Sequence, residues 1–200
     1  MRSPSLLRSA PSANSLNDTA PFPAPAPAPA AAAMRSLTKI PASSLFVSEP
    51  NPMYFGNPGN EKQNPAWTRA NWLQSRFHFA FAEYHPSDPA KLRLGPLRVL
   101  NDDLVQPSRG FGTHPHRDME ICTYVVSGSL THRDSTTSAS ETLPAGSLQF
   151  MSAGSGVQHS ERNNDPSAAL RFIQIWLVPR SRGAPPRYGS VRAPAAGWGA

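Results

Sequence analysis

The stretch GFGTHPHRDMEI, from Gly110 to Ile121, sets two imidazoles two residues apart, at His114 and His116, with a carboxylate further on at Glu120. In an extended segment side chains alternate between faces, so His114 and His116 point the same way. Pro115 fixes its own φ and biases the residue before it toward extended geometry. Two neutral imidazoles on one face invite a metal ion. A second pair with the same spacing stands at His159 and Glu161, in GSGVQHSERN. Two strands that each present two ligands inward can close around one ion. The set His114, His116, His159 and Glu161 offers three nitrogens and one carboxylate oxygen. That borderline-to-hard environment suits Fe(II), Mn(II), Co(II) or Ni(II) with positions left open, and Zn is also compatible.

Such a site needs strands to hold it, and the flanking sequence reads as strands. RFHFAFAEY alternates, with Phe77, Phe79 and Phe81 on one face. PLRVLNDDLV reads as a strand ended by a turn at Asn101-Asp102-Asp103, where the two aspartates cap backbone amides. EICTYVVSGSLTHRDS reads as two strands bent at Ser127-Gly128, with His132 in a structural role near a turn at Asp134-Ser135. Pro-Ala-Gly and Gly-Ser-Gly turns bracket the short strands of TLPAGSLQFMSAGSGVQHSERN, and LRFIQIWLVP is a strongly apolar closing strand. No segment of helical length carries a convincing apolar stripe. The expectation is an all-β antiparallel barrel or sandwich. Phe77, Phe79, Phe81, Phe172 and Trp176 are expected in its core. His78 and His85 lie beside strand or turn residues and need no function. Cys122 shares parity with His116 and Glu120, which predicts an inward-facing small hydrophobe rather than a redox thiol.

Charge and composition narrow the function classes. The formal net charge is +6, but residues 1–50 hold four basic and two acidic residues, and 180–200 hold four arginines and no acid. The segment between them therefore carries 11 basic and 11 acidic residues, so the excess charge sits outside the expected barrel. No Lys/Arg stripe with interleaved aromatics marks a nucleic-acid face. No apolar run is long enough to span a bilayer. Neither nucleic acid nor membrane is expected as a partner. The single cysteine excludes an internal disulfide and fits a reducing compartment. Residues 1–45 contain PFPAPAPAPAAAA, which cannot build a core and reads as a disordered spacer. Its Ser-rich, acid-poor start suits an organelle transit peptide for plastid or mitochondrion. The competing readings are a plain tail, or a true start at Met34, with a cytoplasmic or nuclear protein.

GFGTHPHRDMEI, GSLTHRDS, QFMSAGSGVQHSE and IQIWLVP together, in that order, resemble the pirin family of cupins. The resemblance spans roughly residues 71–190. It implies a jelly-roll bicupin, two barrels in tandem, with one metal in the N-terminal barrel. It also implies that His114, His116, His159 and Glu161 ligate that metal, Fe(II) before Mn, Co, Ni or Zn. A more general cupin pattern would use Glu120 as a ligand; the pirin pattern leaves Glu120 holding an imidazole or a bound water from behind. The expected organisation is a tail over 1–45, the N-terminal cupin domain over 46–180, and a linker over 181–200 toward a second barrel that a pirin would carry next. The implied activity is Fe(II)-dependent dioxygenation of quercetin-like flavonols with O2, with Glu161 as ligand and proton acceptor. The implied alternative is a non-catalytic iron protein whose redox state alters contacts with a regulatory or transcription partner.

Overall fold

A computed structural model describes residues 39–41, 43, 45–48, 55–57, 73–77, 92–137 and 139–194. The expected spacer and transit-like start, and His78, Phe79, Phe81 and His85, lie outside these residues. The strands all belong to one compact unit, Ile40–Ala200. Among the described residues no helix is long and apolar enough to cross a membrane.

The strands are β1 (Phe46–Ser48), β2 (Leu73–Phe77), β3 (Leu97–Val105), β4 (Gly110–His116), β5 (Glu120–Ser127), β6 (Ser129–Asp134), β7 (Ser140–Pro144), β8 (Leu148–Ser152), β9 (Val157–Arg162), β10 (Leu170–Leu177) and β11 (Arg187–Val191). All pairings between them are antiparallel. They form a seven-stranded sheet in the order β1-β2-β3-β10-β5-β8-β11 and a four-stranded sheet in the order β4-β9-β6-β7.

Strand alternation decides what faces inward. β5 turns Ile121, Thr123 and Val125 inside, and β10 turns Leu170, Phe172 and Gln174 inside. The interior is therefore apolar at two places and polar between them. Val105, Val125, Leu130, Leu143, Leu170 and Phe172 form one apolar cluster, and Ile121, Met151, Ala153 and Val157 form another. The buried polar side chains Thr123, His132, Gln149, His159, Glu161 and Gln174 come from the same inward positions of these strands. Burying such groups is tolerable only where they bond to one another. The candidate site is built from that polar set.

Three expectations change. β3 runs unbroken through Asn101–Asp103, because Asn101 and Asp103 are buried inward positions of a paired strand rather than a turn. Asp102 faces outward and accepts both guanidinium bonds of Arg171, at 2.8 Å each. The bend expected at Ser127-Gly128 is a corner between sheets: β5 pairs with β10 and β8, while β6 pairs with β7 and β9. The Gly128 φ of 77° and the Ala169 carbonyl 2.5 Å from where a Cβ would stand leave room for glycine alone. Cys122 is half-buried and lies opposite exposed Phe150 on the outward face of β5, so it is not an inward core residue. Asp118, at φ 50°, breaks the alternation between β4 and β5, so Cys122 does not share the face of His116. Finally, residues 187–191, within the stretch expected as a linker, form β11 on the edge of the large sheet beside β8.

Candidate metal centre

The two histidine motifs meet because β4 and β9 are neighbours, with His114 directly opposite His159. β4 is an edge strand, where Pro115 removes no needed ladder donor. A bulge between Phe111 and His114 inserts an extra residue and turns the Gly112 carbonyl toward the His114 ring. The His114 Nδ1–H donates to that carbonyl at 2.7 Å, which leaves the Nε2 lone pair free. Gly112 is required here, since a Cβ would stand 2.7 Å from the Phe55 carbonyl.

His114, His116 and His159 each bring a ring nitrogen within 4.8 Å of the others. Their ring centroids lie 4.9, 4.4 and 4.7 Å apart. The His114 and His159 Nε2 atoms are 2.9 Å apart. Trp176 meets His116 edge-on, with centroids 4.7 Å apart. Burial pushes the His116 imidazole down to about 3, helped by neighbouring His159 and His114 and opposed by Glu161. Burial likewise pushes His159 down to about 2, helped by His114 and His132 and opposed by Asp134. Both rings are therefore neutral across ordinary pH, the form in which an imidazole binds a metal.

Glu161 is buried but stands outside this nitrogen group. Its carboxylate accepts from Gln149 Nε2 at 3.0 Å and from Gln174 Nε2 at 3.2 and 3.0 Å. Gln174 is itself held by the Trp176 indole N–H, which donates to its Oε1 at 2.8 Å. Among the described residues Glu120 holds no imidazole; it accepts from the Ser152 hydroxyl at 2.8 Å across the β5/β8 pair.

Residues beyond the expected set complete the surroundings. His132 Nε2 lies 3.1 Å from His159 Nδ1, on the far side of that ring from His114. The signal was present: His132 and Asp134 are a third i, i+2 pair of imidazole and acid. Tyr188, on β11, stacks flat on His132 with centroids 4.5 Å apart and donates to Glu141 at 2.9 Å. Gln149 and Gln174 carried no sequence signal beyond inward parity.

Three imidazole donors suit a divalent transition ion. Two nitrogens bound at about 2.1 Å and at right angles stand roughly 3 Å apart, close to the His114–His159 spacing. The residues present therefore fit such an ion.

The family model described as Pirin matches residues 60–177. The quercetin 2,3-dioxygenase of Escherichia coli K12 is 47% identical over 121 residues, covering 60% of this chain and 51% of the relative. A putative quercetin 2,3-dioxygenase of Pseudomonas aeruginosa is 49% identical over 125 residues, covering 62% and 52%. The crystal structure of the bacterial pirin YhhW from Escherichia coli in complex with nickel(II) superposes with a TM-score of 0.58 at 46% identity, covering 62% of this chain and 53% of that one. The chain thus spans about half the length of the curated relatives it matches. A match over more than half the chain, on an all-β scaffold that brings the two histidine motifs together, places this chain in the pirin family, with its cupin fold.

Proposed function

We propose that His114, His116 and His159, with Glu161, hold a divalent transition metal, Fe(II) before the alternatives, and that the centre oxygenates quercetin-like flavonols. The observation that carries this reading is the convergence of three imidazole nitrogens within 4.8 Å. The names of the relatives and the nickel(II) of the Escherichia coli pirin support it. A metal held there would supply Lewis acidity toward a flavonol 3-hydroxyl and toward O2. The chain's own residues do the rest. The Gly112 carbonyl locks the His114 ring, and Trp176 flanks the His116 ring. A surface depression of about 570 Å³, lined by His116, Pro115, Arg117 and Val157 among others, is large enough to seat a planar aromatic molecule. Glu161 accepts the hydroxyl proton, as a buried carboxylate close to the ligands.

The test is to load the purified chain anaerobically with Fe(II), add quercetin, admit air, and follow O2 uptake with loss of flavonol absorbance. Turnover in the parent and none in His116→Ala is the expected result. Intact flavonol beside stoichiometrically bound iron would overturn the enzymatic reading. A second reading, an iron protein that binds a regulatory partner, is favoured by Tyr124, Phe150 and Val191, which are exposed on one outward sheet face. It expects partner affinity to differ between the Fe(II) and Fe(III) forms; equal affinity would remove it.

A further inference from the structure

We propose that His132 and Asp134 are positioning residues that hold His159 as its Nδ1–H tautomer, with the Nε2 lone pair directed at the other two imidazoles. This rests on the reading of the trio as a metal site and adds the residues that make His159 a competent ligand. Asp134 is the charged end of this chain of contacts. Its Oδ1 is fully engaged by its own turn, accepting from the Thr136 amide at 2.7 Å, the Thr137 amide at 3.0 Å and the Thr136 hydroxyl. Its Oδ2 is buried and, among the described residues, accepts no hydrogen bond. That oxygen stands 3.7 Å from His132 Nδ1, with both side chains excluded from solvent. In so dry a place a carboxylate oxygen favours a proton on the nitrogen that faces it. His132 then carries its hydrogen on Nδ1 and a lone pair on Nε2. Only an N–H on His159 Nδ1 can bridge the 3.1 Å to that lone pair. The His159 Nε2 is left as a lone pair, as a ligand needs. Tyr188 stacks on His132 at an interplanar angle of 2° and fixes the ring plane in which this relay works. His114 opposes it, because its Nε2 lone pair, 2.9 Å away, favours a proton on the facing His159 nitrogen. Asp134 is the charge that tips the balance toward the ligand form.

Asp134→Asn is the decisive variant. An asparagine Oδ1 still accepts from the Thr136 and Thr137 amides, so the turn is kept. Its NH2 now faces His132 Nδ1 and favours a lone pair there, which reverses every tautomer in the relay. The full chain, Asp134→Asn, His132→Phe and His132→Gln are titrated with Ni(II), and 15N spectra of the imidazoles are recorded in the Zn(II)-loaded and metal-free proteins. Asp134→Asn and His132→Phe are expected to bind Ni(II) about 10–100-fold more weakly. His132→Gln recovers most of the affinity, since its carboxamide oxygen can accept from His159 Nδ1–H. The Zn(II)-loaded parent shows the His132 proton on Nδ1. Binding within twofold of the parent in both weakened variants, or a parent His132 protonated on Nε2, overturns the proposal. If His132→Phe lacks a cooperative melting transition, Asp134→Asn decides alone. If the parent itself binds no Ni(II), the metal reading fails, and the metal-free spectra still decide the relay. His159 protonated on Nδ1 in the parent and on Nε2 in Asp134→Asn upholds it; the same tautomer in both sinks it.

Discussion

His159 and Glu161 lie two residues apart on one face of β9, both buried, yet they enter different company. His159 meets imidazoles, with His114 at 2.9 Å on one side and His132 at 3.1 Å on the other. Glu161 meets carboxamides, Gln149 and Gln174, from the opposite sheet. The imidazole region is made by the four-stranded sheet, whose strands β4, β9 and β6 lie side by side. The carboxamide region is made where β9 faces β8 and β10 of the large sheet. Strand parity sets the direction a side chain points, but the facing strand sets what it finds there. One region presents lone pairs that an ion can share; the other presents N–H donors that hold a negative charge in place.

The largest expected effect comes from breaking the imidazole region. His116→Ala removes a candidate ligand and should weaken Ni(II) binding by about a hundredfold or more, given that residues behind a ligand already cost 10–100-fold. Titration with Ni(II) measures it, and unchanged affinity would put the ion elsewhere. Next comes the carboxamide region. Gln174→Leu leaves the Glu161 carboxylate with the Gln149 donor and should cost about 1–3 kcal/mol of stability, read by denaturant unfolding of the metal-free protein. If the two regions contribute independently to the stability of the metal-free protein, Gln174→Leu lowers stability far more than His116→Ala does. Equal losses would merge them.

Acid sharpens the same contrast. His116 and His159 have folded values pushed far below the unfolded one of about 6.5. Between these values the unfolded chain binds more protons than the folded one, so stability is present above about 6.5 and is lost as pH falls toward about 3. The melting temperature of the metal-free parent should fall over that window, and that of His116→Ala should fall less steeply. Parallel curves would show that His116 is not held neutral. The smallest effect belongs to Tyr188→Phe, which keeps the stacked ring but removes the hydroxyl bond to Glu141. A cost of about 1 kcal/mol is expected, with Ni(II) affinity nearly unchanged. A large loss of affinity there would mean that Glu141 reaches the ion site through Tyr188.

The metal-facing histidines were legible because a strand has a period of two, and H-x-H and H-x-E print that period directly in the chain. The all-β class was legible for the same reason, from alternation and glycine-proline turns in segments that became β3 to β10. Asn101–Asp103 was not legible because Asn and Asp favour turns locally, whereas tertiary pairing with β10 keeps them in a strand. Cys122 misled because parity does not carry across a turn. β11 was not legible: RYGSV is short and lies in Arg-, Pro- and Gly-rich sequence, and it becomes a strand only because β8 offers it an edge.

The local pattern of the sequence by itself determined the residue types, their spacing and the face each would take, because these depend only on backbone geometry and neighbours along the chain. Tertiary structure alone decided that His159 would face His114 and lean on His132, that Glu161 would be gripped by two glutamines, and that Tyr188 would close over the back of the site. Those contacts join residues up to 56 positions apart, His132 to Tyr188 among them, and such pairings follow from which strands lie side by side and which sheets face each other. No local propensity encodes that choice; it is made by burying the apolar clusters on both sides of a polar interior whose every charge then needs a partner.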